Sequence, residues 1–287
     1  MKNYSFIVPA YNESATIIKV CDEIKEVAQN LSNINEFEII VVDDNSHDNT
    51  FTKLKSLNYV KALQNLNNFG YGFCLKKGIR TSKYDNIIIL DGDGTYPISY
   101  LSNLLKEYEK GYDLVVGKRT GKNLNLTFYK KPLRNILKFI VEFSTGEKIQ
   151  DINSGYRVIK KECILKNLDI LSNAFSFTTS MTMTFIYSRF SISYVDVPYN
   201  LRDAESKSKV RLLRDSLRTL QYIIKIILFF DKIKLFVLLS FLTFLLSLVF
   251  LILFLIFDQI FLNSSVNLLI TSIIVFAIGM LSESRRN

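Results

Sequence analysis

The sequence predicts an α/β domain, a mostly parallel sheet with flanking helices, followed by an amphipathic helix and two membrane-spanning helices. Three observations predict it. Short apolar runs alternate with stretches of helical periodicity through the first two hundred residues, polar and acidic clusters follow several of those runs, and the end of the chain is almost wholly apolar.

Residues 5–9, 37–42, 59–63, 86–90 and 113–116 read as strands, being short, rich in Ile, Val, Phe and Leu, and bounded by polar residues. Between the first two, residues 13–30 place Ile17, Val20, Ile24 and Val27 on one helical face. The expected organisation is a cytoplasmic domain over residues 1–210, an interfacial helix over 211–230 and a membrane domain over 231–287.

Residues 235–257 are interrupted only by Ser240, Thr243 and Ser247. At ~1.5 Å per residue such a helix crosses a hydrocarbon core of ~30 Å. A polar stretch at 258–267 reads as the connection to a shorter apolar run at 268–281, which Val266 and Ser282 extend to a second span over 266–282. Lys232 and Lys234 precede the first span, Arg285 and Arg286 follow the second, and no Lys or Arg lies between, so both ends are expected on the cytoplasmic side of a plasma or inner membrane. In 211–230, Arg211, Arg214, Arg218 and Lys225 are set among Leu, Ile and Phe, the composition of a basic helix lying in the interface; a core-packed helix has the same periodicity.

The 36 Lys and Arg against 27 Asp and Glu leave a net charge of +9, suited to anionic lipid and anionic substrates. Nucleic acid is not expected as a partner, since no nucleic-acid module is recognisable. The chain opens on a short strand pattern, not a long apolar leader, so the large domain is expected in the cytoplasm. Cys21, Cys74 and Cys163 are scattered and lack metal-ligand spacing, as reduced structural thiols do, and His47, the only histidine, sits in a polar turn and receives no catalytic role.

Chemistry concentrates at three strand ends. After the apolar residues Ile87 to Leu90 come Asp91-Gly92-Asp93-Gly94, two carboxylates that suit Mg²⁺ or Mn²⁺, ions that bind through one or two carboxylates and keep positions for substrate phosphates. Asp-Gly is also a common turn dipeptide. Pro9-Ala10-Tyr11-Asn12-Glu13 follows the first strand, and Asp43-Asp44-Asn45-Ser46-His47-Asp48 the second. Each cluster could cap a helix, and helix N-termini also attract phosphate. In a parallel sheet all three converge on one cleft.

Taken together, these motifs resemble the family 2 nucleotide-sugar glycosyltransferases of the Rossmann-like GT-A fold, in the dolichol- and polyprenyl-phosphate branch, over residues 1–218. The resemblance implies that Pro9, Tyr11, Glu13, Asp44, Gly72, Asp91 and Gly92 bind the nucleotide sugar, with Asp44 on its base or ribose. It implies that Asp91 and Asp93 hold the metal, although Thr95 stands where many relatives have Gln. Further matches are Gly70-Tyr71-Gly72, the strand ending Gly117-Lys118-Arg119, Asp151-Ile152-Asn153-Ser154-Gly155-Tyr156-Arg157, and Phe175-Ser176-Phe177-Thr178-Thr179. Arg202 with Ser208-Lys209 resembles an Arg-x-Gly-x-Ser-Lys phosphate loop, here two residues longer and with Ser206 in the usual Gly position. The implied catalytic set is Asp91, Asp93, Arg119, Arg157, Arg202 and Lys209, and Arg119, Arg134, Ser154 and Arg157 are candidates for an acceptor phosphate.

The resemblance implies inverting transfer from a nucleoside-diphosphate sugar, of the GDP-mannose or UDP-glucose kind, to a polyprenyl-phosphate lipid. A phosphate acceptor, ionised above its second pKa of about 6, needs no strong general base. The chain has Asn153-Ser154 where hydroxyl-glycosylating relatives carry an acidic base, and Asp151 is open to either a basic or a structural role. The alternatives are a transferase with a hydroxyl acceptor and a catalytically silent membrane scaffold; self-association as a homo-oligomer stays open.

Overall fold

The computed structural model describes residues 1–121, 130–200, 212–257 and 260–284, and divides into two compact units, Met1–Ile223 and Ile224–Asn287.

Among the described residues the first unit has seven strands: β1 (Lys2–Ala10), β2 (Ile34–Asp43), β3 (Val60–Gln64), β4 (Asn86–Ile89), β5 (Leu114–Thr120), β6 (Arg157–Lys160) and β7 (Ile192–Pro198), in the order β3-β2-β1-β4-β6-β5-β7. All five expected strands are present. β6 and β7 are additional, and β6 runs antiparallel to both β4 and β5 while every other pairing is parallel. Because side chains alternate across a strand, β1 serves two cores. Phe6 and Val8 join Ile88, Leu90, Ile17 and Ile24 on one face, and Ile7 joins Ile87, Ile89, Leu75 and Phe177 on the other. A central parallel strand covered on both faces needs such an unbroken apolar run.

The helices of this unit are α1 (Ile17–Asn30), α2 (Thr50–Lys55), α3 (Tyr71–Thr81), α4 (Leu101–Tyr108), α5 (Lys130–Thr145), α6 (Lys161–Leu165) and α7 (Phe177–Tyr187). α1 starts four residues later than the periodicity suggests. The backbone N–H groups of Asn12, Glu13 and Ser14 donate instead to Ser46 Oγ, Thr50 Oγ1 and Asp48 Oδ2 across the strand ends, which holds that stretch as a loop. The three cysteines are free and buried, and burial pushes the Cys21 thiol up to about 12.

α8 (Leu212–Phe230) runs across the boundary between the units. The second unit holds α9 (Lys232–Ile256) and α10 (Ile260–Ser284). Lys232–Ile256 and Phe261–Ser282 are long and apolar enough to cross a membrane, with mean hydropathies of 2.9 and 2.1. Only 11% and 17% of their apolar windows are buried, which a soluble core helix would not show. The polar connection expected at 258–267 is mostly helix. Ser265 Oγ donates to Ser247 O (2.9 Å) and Ser247 Oγ to Ser265 O (2.8 Å), and Ser240 and Ser272 exchange the same pair of bonds, so the polar groups of the hairpin satisfy one another between α9 and α10.

Candidate active site

Parallel pairing aligns the ends of β1 and β2, Ala10 opposite Asp43, with β4 on the other side of β1. The loops that leave these ends are tied together. Besides the three backbone bonds above, His47 N donates to Asn12 Oδ1 (2.8 Å), and the Tyr11 ring meets the His47 ring edge-on at 6.2 Å between centroids. Asn12 (φ 51) and Asn45 (φ 60) sit in the left-handed region, which Asn enters at small cost. His47 therefore shapes the Tyr11 side of the cleft. Pro9 and Glu13 are buried.

Asp44 is buried and accepts from Asn65 Nδ2 (2.8 Å), Phe69 N (2.9 Å) and Gly70 N (2.7 Å). Its carboxylate thus holds the turn that opens α3. Gly70 at φ 102 and Gly72 allow that turn to press on the 172–174 segment, where a β-carbon on Gly72 would lie 2.2 Å from Ser172 O. Gly72 thus makes a close approach to the neighbouring backbone.

Asp91 and Asp93 follow β4. Tyr71 Oη donates to Asp91 Oδ1 at 2.9 Å, and burial, with the charge of Asp91 second, holds the phenol well above its ordinary pKa. Thr95 donates to Asp93 Oδ1 from both N (3.1 Å) and Oγ1 (2.6 Å), and Asp93 is 5% exposed. Thr95 is therefore a residue that orients a carboxylate. The loop is fastened to α1 through Thr16 Oγ1, which donates to Gly92 O (2.9 Å), and Gly92 is packed where a β-carbon would lie 3.1–3.3 Å from Ile17, Pro9 and Val8. Among the described residues no three His, Cys, Asp or Glu side chains cluster as a metal cage. Two carboxylates two positions apart in the chain suit a Mg²⁺ or Mn²⁺ whose remaining ligands are phosphate and water, not an all-protein site. A cleft of about 500 Å³ opens beside Asp93 and Gly94, between α1 and the 96–99 segment.

On the far side of Asp91, the 151–157 segment connects to β5. Arg119 binds Asp151 bidentately, Nε to Oδ2 and Nη2 to Oδ1, both 2.8 Å, and Arg119 N adds a third bond to Oδ2 at 3.1 Å. The side chains are 14% and 3% exposed. Burial alone would raise the Asp151 carboxyl, but the Arg119 guanidinium holds it below the usual carboxylate range. Arg119 also lies 5.5 Å over the Tyr199 ring.

Ser154, expected near a phosphate, is fully buried; its Oγ donates to Gly117 O (2.6 Å) and accepts from Tyr156 N (3.3 Å). Arg157, expected to grip a lipid phosphate, has 0% exposure. Its guanidinium donates to Ser154 O (2.8 Å), Ile152 O (3.1 Å) and Thr182 Oγ1 (2.9 Å), so it braces the 152–154 backbone from beneath. A strand-initial residue in the middle of a sheet is covered on both faces, which explains the difference. The positions of Arg202 and Lys209, and the side chain of Arg134, lie outside the described residues.

The structure thus packs the Asp91-Gly92-Asp93 loop, through Gly92, against the end of β1 and the start of α1, and sets Asp91 beside the segment that carries Asp151, the partner of Arg119. Tyr71 and Gly155 lie in matched motifs but, like Tyr96, had no site role assigned to them from the sequence. Tyr71 and Gly155 touch the Asp91 carboxylate, and Tyr96 Oη accepts from Gly155 N (2.9 Å). Their sequence signal is weak, since an aromatic after a turn glycine and a glycine after serine are ordinary loop features.

The model for "Glycosyl transferase family 2" matches residues 5–167. A dolichol-phosphate mannosyltransferase of Pyrococcus furiosus is 26% identical over 232 residues, covering 77% of this chain and 63% of that protein. An undecaprenyl-phosphate 4-deoxy-4-formamido-L-arabinose transferase of Aeromonas hydrophila is 25% identical over 169 residues, covering 57% of this chain and 51% of that protein. The chain therefore spans 51–63% of the length of these relatives. Among solved structures, glucosyl-3-phosphoglycerate synthase from Mycobacterium tuberculosis, in complex with Mn²⁺, UDP-glucose and phosphoglyceric acid, superposes with TM-score 0.58 at 17% identity, covering 78% of this chain and 79% of that one. Mannosyl-3-phosphoglycerate synthase from Rubrobacter xylanophilus superposes with TM-score 0.57 at 18% identity, covering 79% and 72%. These two show the shared fold, a GT-A-like mixed sheet with flanking helices. With the family model spanning β1 through α6, more than half of the sequence, the chain belongs to glycosyl transferase family 2.

Proposed function

We propose that this glycosyltransferase moves a sugar from a nucleoside-diphosphate donor to a polyprenyl phosphate at a membrane, with Mg²⁺ or Mn²⁺ held by Asp91 and Asp93. Relatives whose names specify dolichol phosphate and undecaprenyl phosphate support the acceptor class. The observation that carries the choice is Asp151. It is the carboxylate nearest in sequence to the position of a hydroxyl-activating base, and Arg119 binds both its oxygens and depresses its pKa. A carboxylate so held is a poor base at neutral pH, whereas an acceptor phosphate arrives ionised.

In the proposed reaction an acceptor phosphate oxygen forms a bond to the anomeric carbon. The bond from that carbon to the donor's diphosphate breaks, and its electron pair leaves on the nucleoside diphosphate. A bound divalent ion would stabilise the charge that develops on the leaving group. The Tyr11 to Glu13 loop, with Asp44 behind the α3 turn, shapes the nucleotide side. Arg119 keeps Asp151 ionised and orders the 151–154 segment, and Arg157 supports the same segment from inside the sheet. Arg202 and Lys209 are proposed phosphate contacts by resemblance alone. The two apolar helices are proposed spans, with both flanks on the cytoplasmic side, and the donor is of the GDP-mannose or UDP-glucose type.

The test is product analysis. The full chain in membranes is given labelled GDP-mannose or UDP-glucose, Mn²⁺ and undecaprenyl phosphate. A lipid product whose sugar is released by mild acid supports the reading; a product stable to mild acid, with the sugar on a hydroxyl, replaces it with the hydroxyl-acceptor alternative.

A further inference from the structure

We infer that Tyr71 is a positioning residue for Asp91, the means by which the nucleotide side of the cleft and the metal side are held in one register; this rests on the reading of Asp91 as a metal ligand. Tyr71 does not lie in the Asp-Gly-Asp segment. It is the first residue of α3, twenty positions earlier in the chain, yet its hydroxyl donates to Asp91 Oδ1 at 2.9 Å. Three contacts hold it there. Asp44, at the end of β2, accepts from the backbone N–H groups of Phe69 and Gly70 (2.9 and 2.7 Å) and so fixes the turn directly before Tyr71. The Tyr71 ring stacks on Phe175 at 5.8 Å between centroids and 22° between planes. Gly70 and Gly72 on either side seat the turn against Asn173 O and Ser172 O, with no room for a β-carbon.

Asp91 also lies against the 151–157 segment. Its carboxylate fills the space that a β-carbon on Gly155 would take, 2.4–2.6 Å from both oxygens and Cγ, so only a glycine there leaves it that position. Tyr71 holds the same carboxylate by its hydrogen bond. Two strand ends separated by β1 in the sheet are thereby linked through side chains, Asp44 to the α3 turn to Tyr71 to Asp91. A hydrogen bond that orients a ligating carboxylate typically governs metal affinity by ~10–100-fold.

The test uses the full chain in detergent micelles and reads Mn²⁺ affinity by electron paramagnetic resonance, in the presence of UDP or GDP, whichever raises the wild-type melting temperature. Tyr71→Phe keeps the ring and its stack on Phe175 and removes only the hydroxyl. The expected result is about tenfold weaker Mn²⁺ binding with an altered Mn²⁺ spectrum and a melting temperature near wild type. Asp91→Asn is the reference and should lose binding. Phe175→Leu, a change at a half-exposed ring, should weaken binding by a smaller factor and supplies a second reading if Tyr71→Phe folds poorly. If Tyr71→Phe and Phe175→Leu bind Mn²⁺ as wild type does while Asp91→Asn has lost it, the role of Tyr71 is rejected and the metal site stands. If Asp91→Asn binds as wild type does, or wild type binds no Mn²⁺ with either nucleotide, the metal site falls and this inference with it.

Discussion

A β-carbon on Gly155 would sit 2.4 and 2.5 Å from the two carboxylate oxygens of Asp91. The obstructing atoms are the end of a side chain and not backbone, so the clash is relieved by a shift of Asp91 that gives up its hydrogen bond from Tyr71. Gly155→Ala should therefore cost only about 1 kcal/mol of stability while lowering transfer by ~10–100-fold. Melting temperature and kcat measured on the same preparation check this; parallel losses in both would mean the glycine serves the fold alone.

Asp93 is fastened by Thr95 at a strand end rather than packed in the apolar core. Asp93→Ala is expected to remove transfer by at least ~100-fold while leaving far-UV circular dichroism unchanged, and excess EDTA should reproduce the loss in the wild type. Full activity under either condition removes the metal assignment.

The Arg119–Asp151 pair is largely buried, so breaking it on one side leaves a stranded charge. Arg119→Ala should destabilise the domain by about 3 kcal/mol, and Arg119→Ala with Asp151→Ala by less than the sum of the single changes. Because the folded-state pKa of Asp151 is depressed, its contribution is fully present above the unfolded value of ~3.9 and disappears as pH falls through the lower folded value. Asp151→Asn should thus flatten the acid limb of the stability curve below about pH 4. If the acceptor is a phosphate, Asp151→Asn will also reduce transfer far less than Asp93→Ala; the opposite ranking points to a hydroxyl acceptor.

α8 is continuous to Phe230, so a chain ending there keeps that helix whole and omits α9 and α10. Donor binding, read by thermal shift with nucleotide sugar and Mn²⁺, should survive the truncation. Transfer to long-chain carrier in vesicles should fall sharply, because anchoring confines the cleft to the surface that carries the acceptor phosphate. Short, water-soluble prenyl phosphates should be affected less. Unchanged use of long-chain carrier would assign the apolar helices another role, such as self-association.

What the sequence determined by itself is local and periodic. The apolar runs that became β1 to β5, the acidic pairs that follow β2 and β4, and two long apolar segments were legible because each depends on residue type at fixed spacing. Parallel pairing then placed the strand-end loops together, as the alternation of strand and helix predicts.

Only the tertiary structure decided the rest. Nothing local distinguishes Arg157, buried beneath the 152–154 segment, from Arg119, paired at its rim; both follow short apolar or glycine-containing stretches, and burial is set by which strand lies between which neighbours. β6 runs antiparallel between β4 and β5, so that Val158 faces both Ile88 and Val115, a pairing of distant segments that no local pattern encodes. α1 loses its first turn to hydrogen bonds from another strand end, and Asn263, Ser264, Ser265 and Asn267 lie within a helix in which Ser265 bonds Ser247 on its neighbour. Tyr71 meets Asp91 for the same reason that a sequence cannot show it. The bond joins residues from two different strand-end loops, and its geometry exists only once the sheet has set them side by side.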